Sequence, residues 1–290
     1  GEEGKIFQRR NDKRINLAEK RGMDEMMWEK RLISCMMAMI VVLTMVLSVP
    51  GLKMEAADTE ITFAVTGGNI TFDTSTGTIT DCDESVTEAV IPDTIGGVLV
   101  EEVGIRAFGS CINLSSVELP DSVTVIEAFA FDNCSSLNSV KMPKNLENIE
   151  SWAFRDCGNL SSIEIPDKTR KIGEKAFQNC AGLDSIEIPA SVISIGNSAF
   201  GYCSGLRSIK VDKNNTAYTS EDGVLFDKEK TTLLCYPIGK RQTVYEIPEG
   251  VTKIEDTAFC NCINLRGIGI PESMTGIDEY AFHMCDSLTD

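Results

Sequence analysis

Apolar residues return along this chain at a constant interval of 23 positions. Phe108, Phe131, Phe154, Phe177 and Phe200 form one column, and Cys111, Cys134, Cys157, Cys180 and Cys203 form a second, three residues later in each unit. Leu114, Leu137, Leu160, Leu183 and Leu206 follow after three more. Val117, Val140, Ile163, Ile186 and Ile209 come next, then Leu119, Met142, Ile165, Ile188 and Val211. A proline closes four of these five units, at Pro120, Pro143, Pro166 and Pro189. A fixed period of this length is the signature of a stacked repeat array. Within each unit the segment L-x-x-[VI]-x-[ILV]-P alternates apolar and polar residues with period two, which predicts a short strand that the proline ends. The V-x-x-I and A-F-x-x-C segments that follow, such as Val192, Ile195, Ala199, Phe200 and Cys203, take the chain back along the opposite side. Burying some seven core side chains yields roughly 1.5–3 kcal/mol apiece, less than the backbone ordering cost of about 1–2 kcal/mol per residue. A unit is therefore stable only between neighbours, and the expected fold is a mostly β repeat solenoid.

The repeated A-F-x-x-C-x-x-L-x-x-I-x-I-P unit resembles the BspA-like family of leucine-rich repeats, over roughly residues 86 to 290 and with seven A-F-x-x-C copies. The resemblance implies a right-handed leucine-rich-repeat solenoid with short parallel strands. It also implies a bacterial or protist surface protein that acts by binding, in some members as an adhesin, with no chemistry of its own.

Residues 58–89 alternate β-prone runs, Ile61–Val65 and Asn69–Phe72, with the turn signals Gly67-Gly68 and Thr76-Gly77. They are expected to form an N-terminal β cap over the first apolar face. Regular units fill 90–211, opening with Val90-Ile91-Pro92 and a wider turn at Gly96-Gly97-Val98. The period breaks in 212–247: Asp212 stands where a proline is expected, and the next proline in register, Pro248, comes 36 residues on. Gly223–Phe226 and Leu233–Tyr236 flank Asp227–Thr232 and predict a β-hairpin protruding from or inserted into the array. An exposed loop that confers specificity and a merely tolerated insertion both fit this segment. Units resume over 248–290 with Phe259, Cys262, Leu265, Ile268, Ile270 and Pro271, then Phe282, Cys285 and Leu288. The sequence stops inside a predicted strand, so the array is expected to continue beyond Asp290, with a proline within about four residues.

Residues 1–31 are polar and begin without methionine; Met23, Met26 and Met27 are candidate starts, with Trp28–Arg31 as a basic flank. Leu32–Val49 is an uncharged apolar run of 18 residues, followed by Pro50-Gly51 and the small pair Ala56-Ala57. Segment 32–57 thus reads as a signal peptide or, at this length, as an uncleaved membrane anchor. The polar chain after Lys53 favours the cleaved signal.

Composition narrows the partners. Residues 1–57 carry ten Lys or Arg against eight Asp or Glu, so the formal charge of −17 rests wholly on the remainder. An acidic array repels nucleic acid and anionic membrane, leaving membrane contact to the N-terminal segment alone. Eleven cysteines in a secreted chain suggest disulfides. Seven of them fall in the repeat column, where in-register side chains on parallel strands do not supply the near-perpendicular dihedral that a disulfide needs. The column is read as buried free thiols. Cys260-x-Cys262 has no partner pair and His283 is the single histidine, so neither a zinc site nor a Ser-His-Asp or Cys-His constellation assembles. Asp212–Gly223 fails as a calcium loop, with Ala217 at the glycine position and Gly223 at the acidic one. No catalytic residue, metal or cofactor is expected.

What remains is the strand surface. Ser116, Ser139, Ser162, Ser185 and Ser208 stack into one outward column, and Glu118, Lys141, Glu164, Glu187 and Lys210 into the next. Solenoids bind through such extended surfaces, and these ten residues are the candidate site for a protein or polysaccharide ligand. Close strand packing alone also accounts for a serine column. Two other classes stand beside a surface binding protein: the targeting part of a longer cell-wall hydrolase or peptidase, and a structural element of the envelope.

Overall fold

The computed structural model describes residues 59–289; segments 1–31 and 32–57, with the predicted signal or anchor, lie outside the described residues. Among those described, the regular elements are all strands, and no helix is long and apolar enough to cross a membrane. Two parallel ladders run along the array, with the core between them.

The return segments form the more continuous ladder. Glu102–Val103, Val125–Ile126, Asn148–Ile149, Lys171–Ile172 and Ser194–Ile195 pair in parallel, each with its equivalent one period away, as in Ile149 with Ile172. An antiparallel meander of Glu60–Val65, Gly68–Asp73 and Thr78–Cys82 starts this ladder, its last strand pairing Ile79 with Val103. This is the expected N-terminal cap, with a third strand that the alternation did not predict. The L-x-x-[VI]-x-[ILV] segments form the second ladder, through Glu88–Val90, Ser116–Glu118 and Ser139–Lys141, then Ser185–Ile188 with Ser208–Val211. It lapses at residues 161–166, where the expected strand does not form.

The prolines that close the regular rungs each open a turn, the carbonyl accepting from the amide three residues on: Val123 to Pro120, Leu146 to Pro143, Val192 to Pro189. Two residues per rung, four apart, have left-handed backbone: Arg106 and Ser110, Phe129 and Asn133, Trp152 and Asp156, Lys175 and Asn179. Without glycine this conformation costs about 1–2 kcal/mol per residue. The same turn offsets the cost by sending three amides to the next rung, Trp152 to Glu174 (2.9 Å), Phe154 to Ala176 (2.8 Å) and Asp156 to Gln178 (2.9 Å).

The phenylalanine rings stack face to face between these turns, with centroids 4.9 Å apart for Phe108–Phe131 and 5.8 Å for Phe177–Phe200. The column cysteines do more than fill space. Cys134, Cys157, Cys180 and Cys203 donate their thiols to the carbonyls of Phe108, Phe131, Phe154 and Phe177 in the preceding rung, at 2.9–3.2 Å. Those carbonyls also accept the cysteine amide of their own rung, so both lone pairs of a buried oxygen are used. All ten described cysteines are free, and burial pushes the thiols of Cys134 and Cys157 far above the ordinary range.

The interruption holds the expected hairpin, inserted into the array, and adds one strand to it. Tyr218–Glu221 pairs antiparallel with Val224–Asp227, which pairs antiparallel with Thr232–Cys235, giving a three-stranded meander. Far from protruding, it buries Val224, Leu225, Phe226 and Leu233 completely or nearly so. The predicted core columns are otherwise buried, apart from Val140, Met142 and Val211, which are half-buried, and the last rungs, where Ile270 is 48% exposed.

Two outcomes test this packing. Phe177→Ala empties a position stacked on both sides and should cost about 3–5 kcal/mol in denaturant unfolding, whereas exposed Glu187→Ala should cost less than about 0.5 kcal/mol; equal losses would contradict the inside and outside assignments. Thiol counting under denaturant should find at least the seven column thiols free. Because folding raises the thiol pKa of Cys134 and Cys157, their contribution is complete below the unfolded value of about 8.5 and lost as pH rises above it. The melting temperature should therefore fall between about pH 8 and 10, and less so once both cysteines are replaced by alanine.

Candidate binding surface

Period-two alternation turns the polar positions of the strand ladder outward. Glu118, Lys141, Glu164, Glu187 and Lys210 are all exposed, as are Ser139, Ser162 and Ser185, while Ser116 and Ser208 are half-buried. The ladder brings Ser116 beside Ser139 and Glu118 beside Lys141, and likewise Ser185 beside Ser208 and Glu187 beside Lys210. Lys141 pairs with Glu118 at 3.1 Å and Lys210 with Glu187 at 3.0 Å. Exposed pairs of this kind are worth about 0–1 kcal/mol each. Ser162 and Glu164 sit in the rung where the ladder lapses and are not brought into register with either neighbour.

The serine column is not free along its whole length. The Ile209 amide donates to the carbonyl of Gly223 (2.9 Å), which lays the meander's first turn against Ser208. Gly223 has a φ of +77°, and a Cβ there would lie 2.7 Å from the Ser208 Oγ. Ser208 belongs to a packed contact, and the accessible serines end at Ser185.

The surface around the second column opens one rung before the lapse. Val117, Leu119, Ile186 and Ile188 are buried in the flanking rungs, but Val140 and Met142 are only half-buried. They floor an open groove of about 770 Å³ together with Ile91, Leu119, Pro120 and Pro166. Glu118 and Lys141 line it from the strands, Glu164 from the segment where the ladder lapses, and Asp121, Lys144 and Lys168 from the proline turns. Lys144 reaches Asp121 at 2.9 Å, and Lys168 reaches the Asn145 side chain at 2.8 Å. The Lys144 amide and then its ammonium hold the Asp121 carboxyl below the usual carboxylate range. Sequence reading found three of these polar residues and missed the turn residues, whose signal is their own 23-residue spacing, as in Asp121, Lys144 and Asp167.

A second surface column went unread in the sequence. Arg106, Phe129, Trp152 and Lys175 occupy the same left-handed turn position in successive rungs. Phe129 and Trp152 stack at 4.9 Å, with the Arg106 guanidinium 4.8 Å from the Phe129 ring and the Lys175 ammonium 5.7 Å from Trp152. Each ring face is thereby covered by a neighbour, so this column ties rungs together and presents only ring edges.

The parallel ladders, stacked phenylalanines and long exposed strand face define a leucine-rich-repeat scaffold of the kind that binds other molecules along its length. The chain belongs to the BspA type leucine-rich repeat family, whose repeat matches six copies over residues 101–222 and 239–290 and skips the segment between them. Similar folds are known from bacteria. A leucine-rich repeat protein of Eubacterium ventriosum is 26% identical with a TM-score of 0.64 over 77% of this chain, which spans 63% of that protein's length. The pneumococcal vaccine antigen PcpA is 24% identical with a TM-score of 0.59, over 80% of this chain and 67% of the antigen. A Treponema pallidum leucine-rich repeat protein, TpLRR, is 28% identical with a TM-score of 0.50, over 82% and 92%. No curated protein sequence matches this chain.

If the groove's charged pairs serve its surface and not its folding, Lys141→Ala and Lys144→Ala should each leave the urea midpoint of unfolding almost unchanged. Gly223→Ala, which strains the turn over Ser208, should cost more than either in the same urea titration.

Proposed function

We propose that this protein is a secreted or surface-displayed recognition protein, an adhesin in the broad sense, that takes a protein ligand in the groove over Val140 and Met142. One observation carries the reading: the equivalent positions are buried in the adjacent rungs, at Val117, Leu119, Ile163 and Ile165, and half-open here, inside a rim of lysine and carboxylate side chains. A half-exposed methionine adapts to apolar partners, and paired rim charges supply orientation at little cost to folding. The floor is aliphatic and offers no aromatic face, which favours a polypeptide over a polysaccharide. The acidic net charge and the apolar run at Leu32–Val49 fit an extracellular role. The chain acts by binding, with its one histidine exposed in the last rung.

Probing arrays of purified extracellular proteins and of glycans with the labelled protein tests this. The expected result is binding to at least one protein that Met142→Asp weakens about tenfold or more while Glu187→Ala leaves it unchanged. Binding only to glycans would select the polysaccharide ligand. Binding indifferent to Met142→Asp would overturn the groove assignment.

A further inference from the structure

We propose that residues 216–236 are a second cap with two working faces, closing one repeat array and starting another, so that the chain carries two arrays that share a strand. The meander repeats the construction of the N-terminal cap. In the first, Gly68–Asp73 and Thr78–Cys82 pair antiparallel with Phe72 opposite Ile79 and a register shift at Thr71/Phe72. In the second, Val224–Asp227 and Thr232–Cys235 pair antiparallel with Phe226 opposite Leu233 and a register shift at Leu225/Phe226. An aspartate follows the phenylalanine in both and closes the turn through its carboxylate. Asp73 accepts from the Ser75 amide and hydroxyl, and Asp227 from the Thr231 amide and hydroxyl and the Thr232 amide. In each case the last strand then founds a parallel ladder, Ile79 beside Val103 and Leu233 beside Ile254.

The ring stack and the return ladder stop and restart at this segment, while single contacts such as Ser198 Oγ with Thr257 Oγ1 at 2.6 Å cross it. Among the described residues the phenylalanine stack runs from Phe108 to Phe200, and a separate stack begins at Tyr236 and continues through Phe259 to Phe282. The return ladder ends at Ser194–Ile195, where the Ile195 amide donates to the Tyr218 hydroxyl instead of to a following backbone. Asn215, fully buried, terminates the first array. Its side-chain amide donates to the carbonyls of Pro189 and Val192 while its oxygen accepts the amides of Ala217 and Tyr218, turning the chain out of register. A cavity of about 160 Å³ lies at the seam, between Ile195–Gly201 and Glu255–Thr257.

The strand Val224–Asp227 is buried on both faces, and its alternation assigns each face an array. Leu225 packs into the core that runs from Ile70 to Ile209, whereas Val224 and Phe226 pack into a second core with Leu233, Ile254 and Phe259. A period-two strand is the one element able to close two stacks at once.

Native-state hydrogen exchange on the full chain tests this. Leu225→Ala should speed exchange of the Gly173 and Gly196 amides, which close the first return ladder, by about tenfold or more while Glu255 and Asp278 stay within about twofold. Phe226→Ala should do the reverse. Equal acceleration of both sets by either substitution would mean one continuous array and overturn the proposal. Should a variant fail to fold, exchange of the unmodified protein in rising denaturant still decides. The proposal requires the two sets of amides to follow two different denaturant dependences, and a single shared dependence refutes it.

Discussion

Everything in this structure depends on the bond between one rung and the next at the A-F-x-x-C turn. The turn holds two non-glycine residues in left-handed backbone, a conformation no rung would keep alone. It persists because its amides find carbonyls one rung further on and because the buried phenylalanine carbonyl receives a cysteine thiol from that rung. The phenylalanine rings then fill the space between successive turns. Strain, hydrogen bonding and packing are thus satisfied only in the stacked state, which is the physical content of nearest-neighbour stability in a solenoid.

This constraint explains where variation is tolerated. The turn and the return ladder are nearly unbroken from Val103 to Ile195, while the strand ladder lapses once at residues 161–166 without disturbing Leu160 or Phe154, both fully buried. A scaffold held on one side is free to open on the other. The groove over Val140 and Met142 lies one rung before that lapse, and it places a half-exposed apolar floor beside charges that fold at little cost.

Much of this was legible in the sequence, and the exceptions have physical causes. The phenylalanine, cysteine and leucine columns gave the rung and its core because burial dictates those residue types directly. The left-handed turns were invisible, since Phe129 and Trp152 are residues that avoid such backbone and carry no glycine signal. The lapse was invisible for the opposite reason. Leu160-Ser161-Ser162-Ile163-Glu164-Ile165-Pro166 reads almost residue for residue like Leu183–Pro189, which does form a strand. The thirteen extra residues before Pro248 announced an interruption, but its role as a wall between two cores rests on the alternate burial of Leu225 and Phe226, which only the fold reveals. Ser208 was placed on an open column because the sequence does not say that Gly223 lies against it.

In this structure stability passes from rung to rung through the aromatic column, and the column is interrupted between Phe200 and Tyr236. Double-mutant cycles on unfolding free energy measure this directly. Phe154→Leu combined with Phe177→Leu, neighbours at 5.3 Å, should show a coupling of about 0.5–3 kcal/mol, whereas Phe200→Leu combined with Tyr236→Leu, on opposite sides of the seam, should be additive within about 0.5 kcal/mol. Equal coupling for the two pairs would contradict the account.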